Sequence, residues 1–417
     1  MKAKTKKPGR VKAAVLSWLG VPTTESLGAY FGATSDSGVV VNENNMLSLS
    51  AAWACTRLIS ETIATLPLSM YENTSSGKRV ASSHQLQYII HDQPNADATA
   101  SVYWESVIAA MLLRGVARSE KLMVGSTLVG LKFLAPNRLA ITRKSDGSLQ
   151  YAYTEDSGLQ RVIPESRIFT IPGFSLDGKN GVSVIYYGAN VFGSALAAGN
   201  AANKTFENGL MPTTYYKMER VLNKDQRDEF RESLTGISGA VNAGKSPLLE
   251  GGMSVDTIGI NPNDAQLLES RSFSVEEICR WFRVPPFMVG HSEKSTSWGT
   301  GIESQMIGFL TFTLAPWLKR VEQAISKDLL NPVDRMRYYP KFSVEGLLRA
   351  DSAGRSSFYS SMVNNGIFTR DEVRLLEDRE PMGGNAAVLT VQTSMAPLDT
   401  LGKQQIASAH ILRELMG

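Results

Sequence analysis

The chain has 417 residues, 43% of them hydrophobic and 20% charged, with a formal net charge of +3. That length exceeds one small domain, and that composition buries a core instead of leaving the chain disordered. The near-neutral balance excludes a protein devoted to gripping nucleic acid through many phosphate contacts. The two cysteines, Cys55 and Cys279, fall within apolar helical patterns and read as small buried hydrophobes of a reducing compartment. His84, His91, His291 and His410 stand apart from one another and from the cysteines, so neither a metal site nor a cofactor is expected. No apolar run reaches the roughly 18 residues that span a bilayer.

Taken in order, residues 1–45 open with the basic run MKAKTKKPGRVK and lead through AAVLSWLGV, the pattern of a basic arm entering a short amphipathic helix. A helix is predicted over 49–64, with Ala52, Cys55, Ile59 and Ile63 on one face, stopped by Pro67. A strand follows at 68–71, then a turn at Gly77, a short helix at 85–91 and a longer one at 102–113. From 122 to 171 the period changes to two, and Asp146-Gly147 marks a hairpin turn. This first region is α+β.

A long helix is predicted over 182–207. It is rich in small residues, among them Gly188, Gly193, Ala197 and Gly199. Each glycine inside a helix costs about 1 kcal/mol against alanine, so several need a reason. Close packing of helices within one chain is one, and close packing against a neighbouring subunit is the other. Residues 212–263 form a small insert with strands at 213–218 and 254–260 and a polar helix at 223–235, capped by Asn223 and Gln226.

A second helix spans 265–282 after Asp264. Ser274 with Glu277 makes a capping box, which predicts a fresh start or a break near Ser274. Pro285 and Pro286 end it. The polar run His291, Ser292, Glu293, Lys294, Ser295, Thr296, Ser297 and Trp298 follows, and a helix then covers 302–330. Its apolar positions include Met306, Phe309, Leu310, Thr313, Trp317 and Val321, and Pro316 inside it predicts a kink. A strand at 338–342 and helices at 347–364 and 369–377 complete the predicted elements.

One motif is rejected on context. Gly239 to Ser246 reads GxxxxGKS, the spacing of a phosphate-cradling loop. Such a loop follows a buried strand and opens a helix. Here a polar helix precedes it, and Pro247-Leu248-Leu249-Glu250-Gly251-Gly252 follows. No nucleophile stands beside a base in the 264–330 region, and adjacent Glu276 and Glu277 point about 100° apart on a helix. No catalytic residue is expected.

The segments LLESRSFSVEEICRWFRVPPFMVG, LSAAWACTRLISETIATLPLSMYE, GVSVIYYGANVFGSALAAGNAANKTFENGLMP, NAGKSPLLEGG and NNGIFTRDEVRLLEDREPM resemble, in content and order, the HK97-like family of tailed-phage portal proteins. The resemblance covers residues 47–385. It departs at Gly115-Val116-Ala117-Arg118 and at Phe169-Thr170-Ile171. It implies an α+β portal fold assembled as a ring: 1–45 a flexible basic arm, 46–180 the wing, 181–210 a stem helix, 211–264 the clip. It further implies 265–286 as a stem helix, 287–301 the tunnel loop, 302–335 a long kinked wing helix, 336–381 the crown and 382–417 a mobile tail. His291 to Trp298 would then meet double-stranded DNA in the channel, and Gly188, Gly193, Ala197 and Gly199 would pack subunits together. The implied partners are a homo-oligomeric ring of twelve, DNA bound without sequence preference, the large terminase subunit, a head–tail connector and a capsid or scaffolding protein. The implied place is the portal vertex of the virion, after assembly in the host cytoplasm. A DNA-packaging ATPase and a soluble α+β enzyme of unknown substrate stay open as alternatives.

Overall fold

The computed structural model of the chain describes residues 33–75, 77–207, 213–217, 223–228, 254–258, 264–291, 300–344, 352–377 and 379–390. The chain divides into two units, Met1–Ser343 and Val344–Gly417. The first starts with a small hairpin, β1 (Ala33–Thr34) and β2 (Val40–Val41), followed by α1 (Glu43–Leu47). Asn42 and Asn45 cap α1 reciprocally, each side chain accepting the other's main-chain N–H. Helix α2 (Ser50–Thr65) buries Ala52, Cys55, Ile59 and Ile63, the face its spacing predicts. Strand β3 (Leu68–Thr74) then turns into β4 (Gly77–Val80).

Helix α3 (Ala100–Arg114) is buried on more than one face, Tyr103, Trp104, Val107, Ile108 and Met111 among its core residues, because it lies between α2 and a sheet. Its buried polar tips are satisfied: Tyr103 Oη lies 2.8 Å from Ser119 Oγ, and Trp104 Nε1 donates to the Ile90 carbonyl at 2.9 Å. Gly115 ends α3 at φ 77°, and a Cβ there would run into the main chain of Val182. Only glycine meets both conditions.

The period-two region folds as two antiparallel sheets. Strands β5 (Val116–Val124) and β6 (Thr127–Phe133) pair with each other. Strands β7 (Leu139–Arg143), β8 (Leu149–Thr154) and β9 (Gln160–Ile163) form the second sheet, and β10 (Ile168–Pro172) returns to the free side of β5. Leu134, Leu139, Tyr151, Tyr153, Ile163 and Ile168 make one cluster. At the predicted hairpin turn, Gly147 takes φ 86° and Asp146 accepts the Ser148 N–H at 2.9 Å.

The helix predicted over 182–207 is two: α4 (Val184–Tyr187) and α5 (Ala189–Glu207), separated at Gly188 (φ −89°, ψ 6°). A side chain at 188 would press on the ring of Phe192, itself fully buried. The first hairpin docks on α5, with Ser35 against Gly193 and the Asp36 N–H on Asn190 Oδ1 at 3.0 Å. Arg114 binds Glu43 at 2.6 Å. The flexible arm expected to reach residue 45 is therefore folded from residue 33 onward.

Strands β11 (Thr213–Lys217) and β12 (Ser254–Ile258) pair antiparallel at the base of the insert. Helix α6 (Asp264–Phe282) is unbroken, against the restart that Ser274 predicts, because Ile278, Cys279 and Phe282 continue in register with the helices they pack on. Helices α7 (Thr300–Gly308) and α8 (Ala315–Asp328) are joined by a π-helical segment, Phe309–Leu314. Pro316 has no N–H to give the preceding turn, and the wider π turn just before it is how the helix continues. After α9 (Asp334–Arg337), β13 (Tyr338–Phe342) pairs with β3, giving the sheet order β13-β3-β4. Strand β13 belongs to the first unit, and the second begins at Val344.

The second unit holds α10 (Ser352–Asn364) and α11 (Arg370–Leu376), with Gly366 at φ 68° between them. Thr369 and Glu372 form a capping box on α11. Asp371 accepts the Met382 and Gly383 N–H groups, each at 2.8 Å, so the tail expected to be mobile from 382 is held at its start.

Candidate functional site

The segment that resemblance places in a channel begins where α6 stops. Arg283 takes φ 57°, the one positive φ outside glycine among the described residues. The Arg283 N–H bonds the Arg280 carbonyl at 3.1 Å, and the Val284 N–H bonds the Cys279 carbonyl at 3.0 Å. This is the doubly bonded left-handed helix terminus, with arginine where glycine is usual. Val284 is buried beside it, and Pro285 and Pro286 prevent any return to helix.

A 3₁₀ turn, Pro286–Val289, and Gly290 at φ 82° bring the chain back on itself. The His291 N–H bonds the Pro286 carbonyl at 3.1 Å. Its Nε2 lies 3.2 Å from Ser272 Oγ and 3.9 Å from Glu276 Oε1. The first residue of the expected loop is thus pinned to the side of α6. Ser292, Glu293, Lys294, Ser295, Thr296, Ser297 and Trp298 lie outside the described residues, as does the phosphate-loop lookalike at 239–246. The chain is described again from Thr300, where α7 opens.

Charge gathers where α6 ends. Arg280 binds Glu276 at 3.5 Å and also Glu277. Arg320 stacks over Trp317, 5.5 Å from the ring centre. Burial, and then the like charge of Arg283, hold the Arg320 guanidinium below its ordinary range. A cleft of about 410 Å³ opens among Glu276, Cys279, Arg280, Arg283 and Pro286. It holds two arginines, a glutamate and a buried thiol, with no base positioned on a nucleophile. Among the described residues no three His, Cys, Asp or Glu side chains could hold a metal ion. The arrangement presents a loop on a fixed base.

The four small residues singled out on the first long helix separate into two kinds. Gly188 and Gly193 meet their own chain, at Phe192 and Ser35. Gly199 has nothing within 4 Å of where a Cβ would stand, and Ala197 is half-buried.

The sequence reading missed one surface. Met306 belongs to the predicted apolar stripe yet is 42% exposed, and Phe312 is 70% exposed, while Thr313 is buried. Phe309, Thr313 and Val321, three of the predicted positions, are buried as that spacing expects. Leu176, 69% exposed, stands on a loop whose Asp177 accepts the Lys179 and Asn180 N–H groups, and those bonds hold its carboxyl well below the usual range.

Comparison with known proteins gives one consistent answer. The model of the family described as phage portal protein matches residues 50–378. The portal protein of Enterobacteria phage HK97 is 32% identical over 402 residues, 94% of each chain. The probable portal protein of Streptomyces phage phiC31 is 33% identical over 363 residues, 84% of this chain and 79% of that one. Among solved structures, an HK97-family phage portal protein from Corynebacterium diphtheriae superposes with a TM-score of 0.58 at 15% identity, covering 75% of this chain and 99% of its own. A chain from the neck of a native gene transfer agent particle, computed with C12 symmetry, gives 0.52 at 22% identity, covering 87% of this chain and all of its own.

Proposed function

This chain belongs to the phage portal protein family, and from that premise we propose how its parts serve the channel. A portal protein forms the ring at one capsid vertex through which double-stranded DNA is packaged and ejected, and it docks the packaging motor and the head–tail connector. We read the ring as twelve copies, in the virion at the portal vertex, after assembly in the host cytoplasm. No described helix is long and apolar enough to cross a membrane.

Residues 287–301 are the tunnel loop in this reading, with His291 to Trp298 toward the channel. The observation that carries it is the fixed base: His291 is pinned to α6 on one side, and helix resumes at Thr300 on the other. Between them stand Ser, Thr and Gly with Glu293, Lys294 and one aromatic, Trp298. A channel must touch DNA weakly and without sequence preference, since tight phosphate binding would stall sliding. One lysine per subunit, repeated around a ring, meets phosphates in turn over about 8 Å at physiological salt. The subunit contact falls to Ala197 and Gly199, because Gly188 and Gly193 are already occupied within the chain. The β11–β12 insert is the clip, where the large terminase subunit docks during filling and a head–tail connector later. The wing faces capsid or scaffolding protein. The ring itself catalyses nothing, so a purified particle should hydrolyse no ATP.

Deleting residues 295–299 tests the assignment. Rings should assemble, and packaging or retention of DNA should fail. Lys294→Glu alone should act more mildly, with an effect that grows at low salt. Heads filled with full-length DNA at the normal rate by the deletion variant would remove this segment from the channel.

A further inference from the structure

Cys55 on α2 and Cys279 on α6 are 224 residues apart in sequence, and their sulfurs stand 3.9 Å from each other. Both are buried, at 0% and 1% exposure, and both are free thiols. Two buried apolar-patterned cysteines explain their own burial as packing. They do not explain why each is the other's sulfur neighbour across the contact between α2 and α6. Cys279 also lines the cleft at the end of α6, with Arg280 and Arg283 around the same opening. A small oxidant therefore has a route to one member of the pair.

We propose that Cys55 and Cys279 are a reversible cross-linking site that closes into a disulfide when a peroxide reaches the cleft. The Cys279 thiolate attacks a peroxide oxygen. The S–O bond forms, the O–O bond breaks, and the leaving hydroxide takes a proton to become water. The Cys55 thiol then gives up its proton and its sulfur attacks Cys279 Sγ. The S–S bond forms, the S–O bond breaks, and a second water leaves. Two thiols are oxidised and one peroxide is reduced to two waters. The order follows from the local geometry. Cys279 lines the cleft and Cys55 does not, and the contact between the sulfurs, against burial and the Glu276 charge, holds the Cys279 thiol below its ordinary range while the same contact and burial push that of Cys55 up. Cys279 is thus the nucleophile and Cys55 the resolving thiol.

In a reducing cytoplasm the pair stays open, and in the oxidising surroundings of a released particle it closes, fixing α2 to α6. That timing rests on the portal reading, whereas the chemistry does not. The test uses the assembled full-length ring. After hydrogen peroxide treatment, alkylation and digestion without reductant, a peptide joining residues 55 and 279 should appear, and a thiol reductant should abolish it. The oxidised ring should melt at a higher temperature than the reduced one. In Cys55→Ser, Cys279 should stop at a sulfenic acid that dimedone traps. If both wild-type cysteines remain alkylatable after peroxide, or if Cys279 advances to sulfinic acid with Cys55 still free, the site does not exist. Both results are read on the wild-type protein and stand whether or not the variant folds.

Discussion

The hydroxyl of Thr313 donates to the main-chain carbonyl of Arg283 at 2.5 Å. One residue lies in the π turn and the other at the left-handed end of α6, so this bond ties the two helices that flank the proposed tunnel loop. Thr313 is buried. Thr313→Val keeps the shape and removes the donor, leaving a carbonyl short of a partner. The expected loss is about 1–2 kcal/mol, read as a lower urea midpoint with unchanged slope. An unchanged midpoint would mean that the bond does not hold the two helices together.

The small residues of α5 give a paired prediction. Gly193→Ala places a Cβ into Ser35, which overpacks the first hairpin against the helix and should cost about 1–3 kcal/mol. Gly199→Ala meets nothing within the chain and should stabilise an isolated subunit by up to about 1 kcal/mol. Ala197→Leu should leave the subunit's circular dichroism intact and block ring assembly. Normal rings from Ala197→Leu, seen by native mass measurement, would move the subunit contact elsewhere.

These two cases show what the sequence made legible. Helix α3, the alternating strands and the proline stop of α6 each announce themselves within a dozen residues. The reasons for Gly188 and Gly193 do not, because Phe192 and Ser35 matter only once the chain has folded back. Ser274 carries a genuine capping pattern that lost to Ile278, Cys279 and Phe282, which needed the helix to continue. The pairing of β13 with β3 was beyond reach for the same reason: a five-residue strand carries no record of a partner so far away. The tunnel-loop assignment came from family resemblance, and its pinned His291 from the fold.

Glu72 predicts a pH dependence. Its carboxylate is buried, bonded to Arg79 at 2.8 Å and also to Arg337. The bonds from Arg79, against the opposing effect of burial, and then those from Arg337 hold its carboxyl below the usual value of 4.5. A carboxyl depressed in the folded state contributes stability that is fully present above its unfolded pKa and lost as pH falls through the folded one. Wild type should therefore lose stability below about pH 4.5, and Glu72→Gln should be weaker at neutral pH with a flatter acid limb. Chemical denaturation at several pH values measures both, and parallel acid limbs would count against this role.

His291→Ala releases the base of the proposed loop from Ser272 and Glu276. Ring assembly should persist. DNA retention should weaken, though less than in the 295–299 deletion, because the loop itself remains. Retention equal to wild type in a packaging assay would make the anchor dispensable.

For the lookalike at 239–246, Lys245→Ala should change nothing, since wild type should show no saturable ATP binding by calorimetry. Binding that the substitution abolishes would revive the ATPase reading.

The sheet β13-β3-β4 also has a mechanical meaning. Everything from 82 to 337 is one excursion of the chain, and it carries every part assigned to stem, clip and tunnel. It leaves the sheet beside β4 and returns at β13, so both roots grip the same strand, β3, from opposite edges. Glu72 sits at that level of β3 and holds one arginine from each root, Arg79 and Arg337. Tension on either root is borne by the two strand ladders on β3, and the Glu72 carboxylate bridges the roots across it at one level.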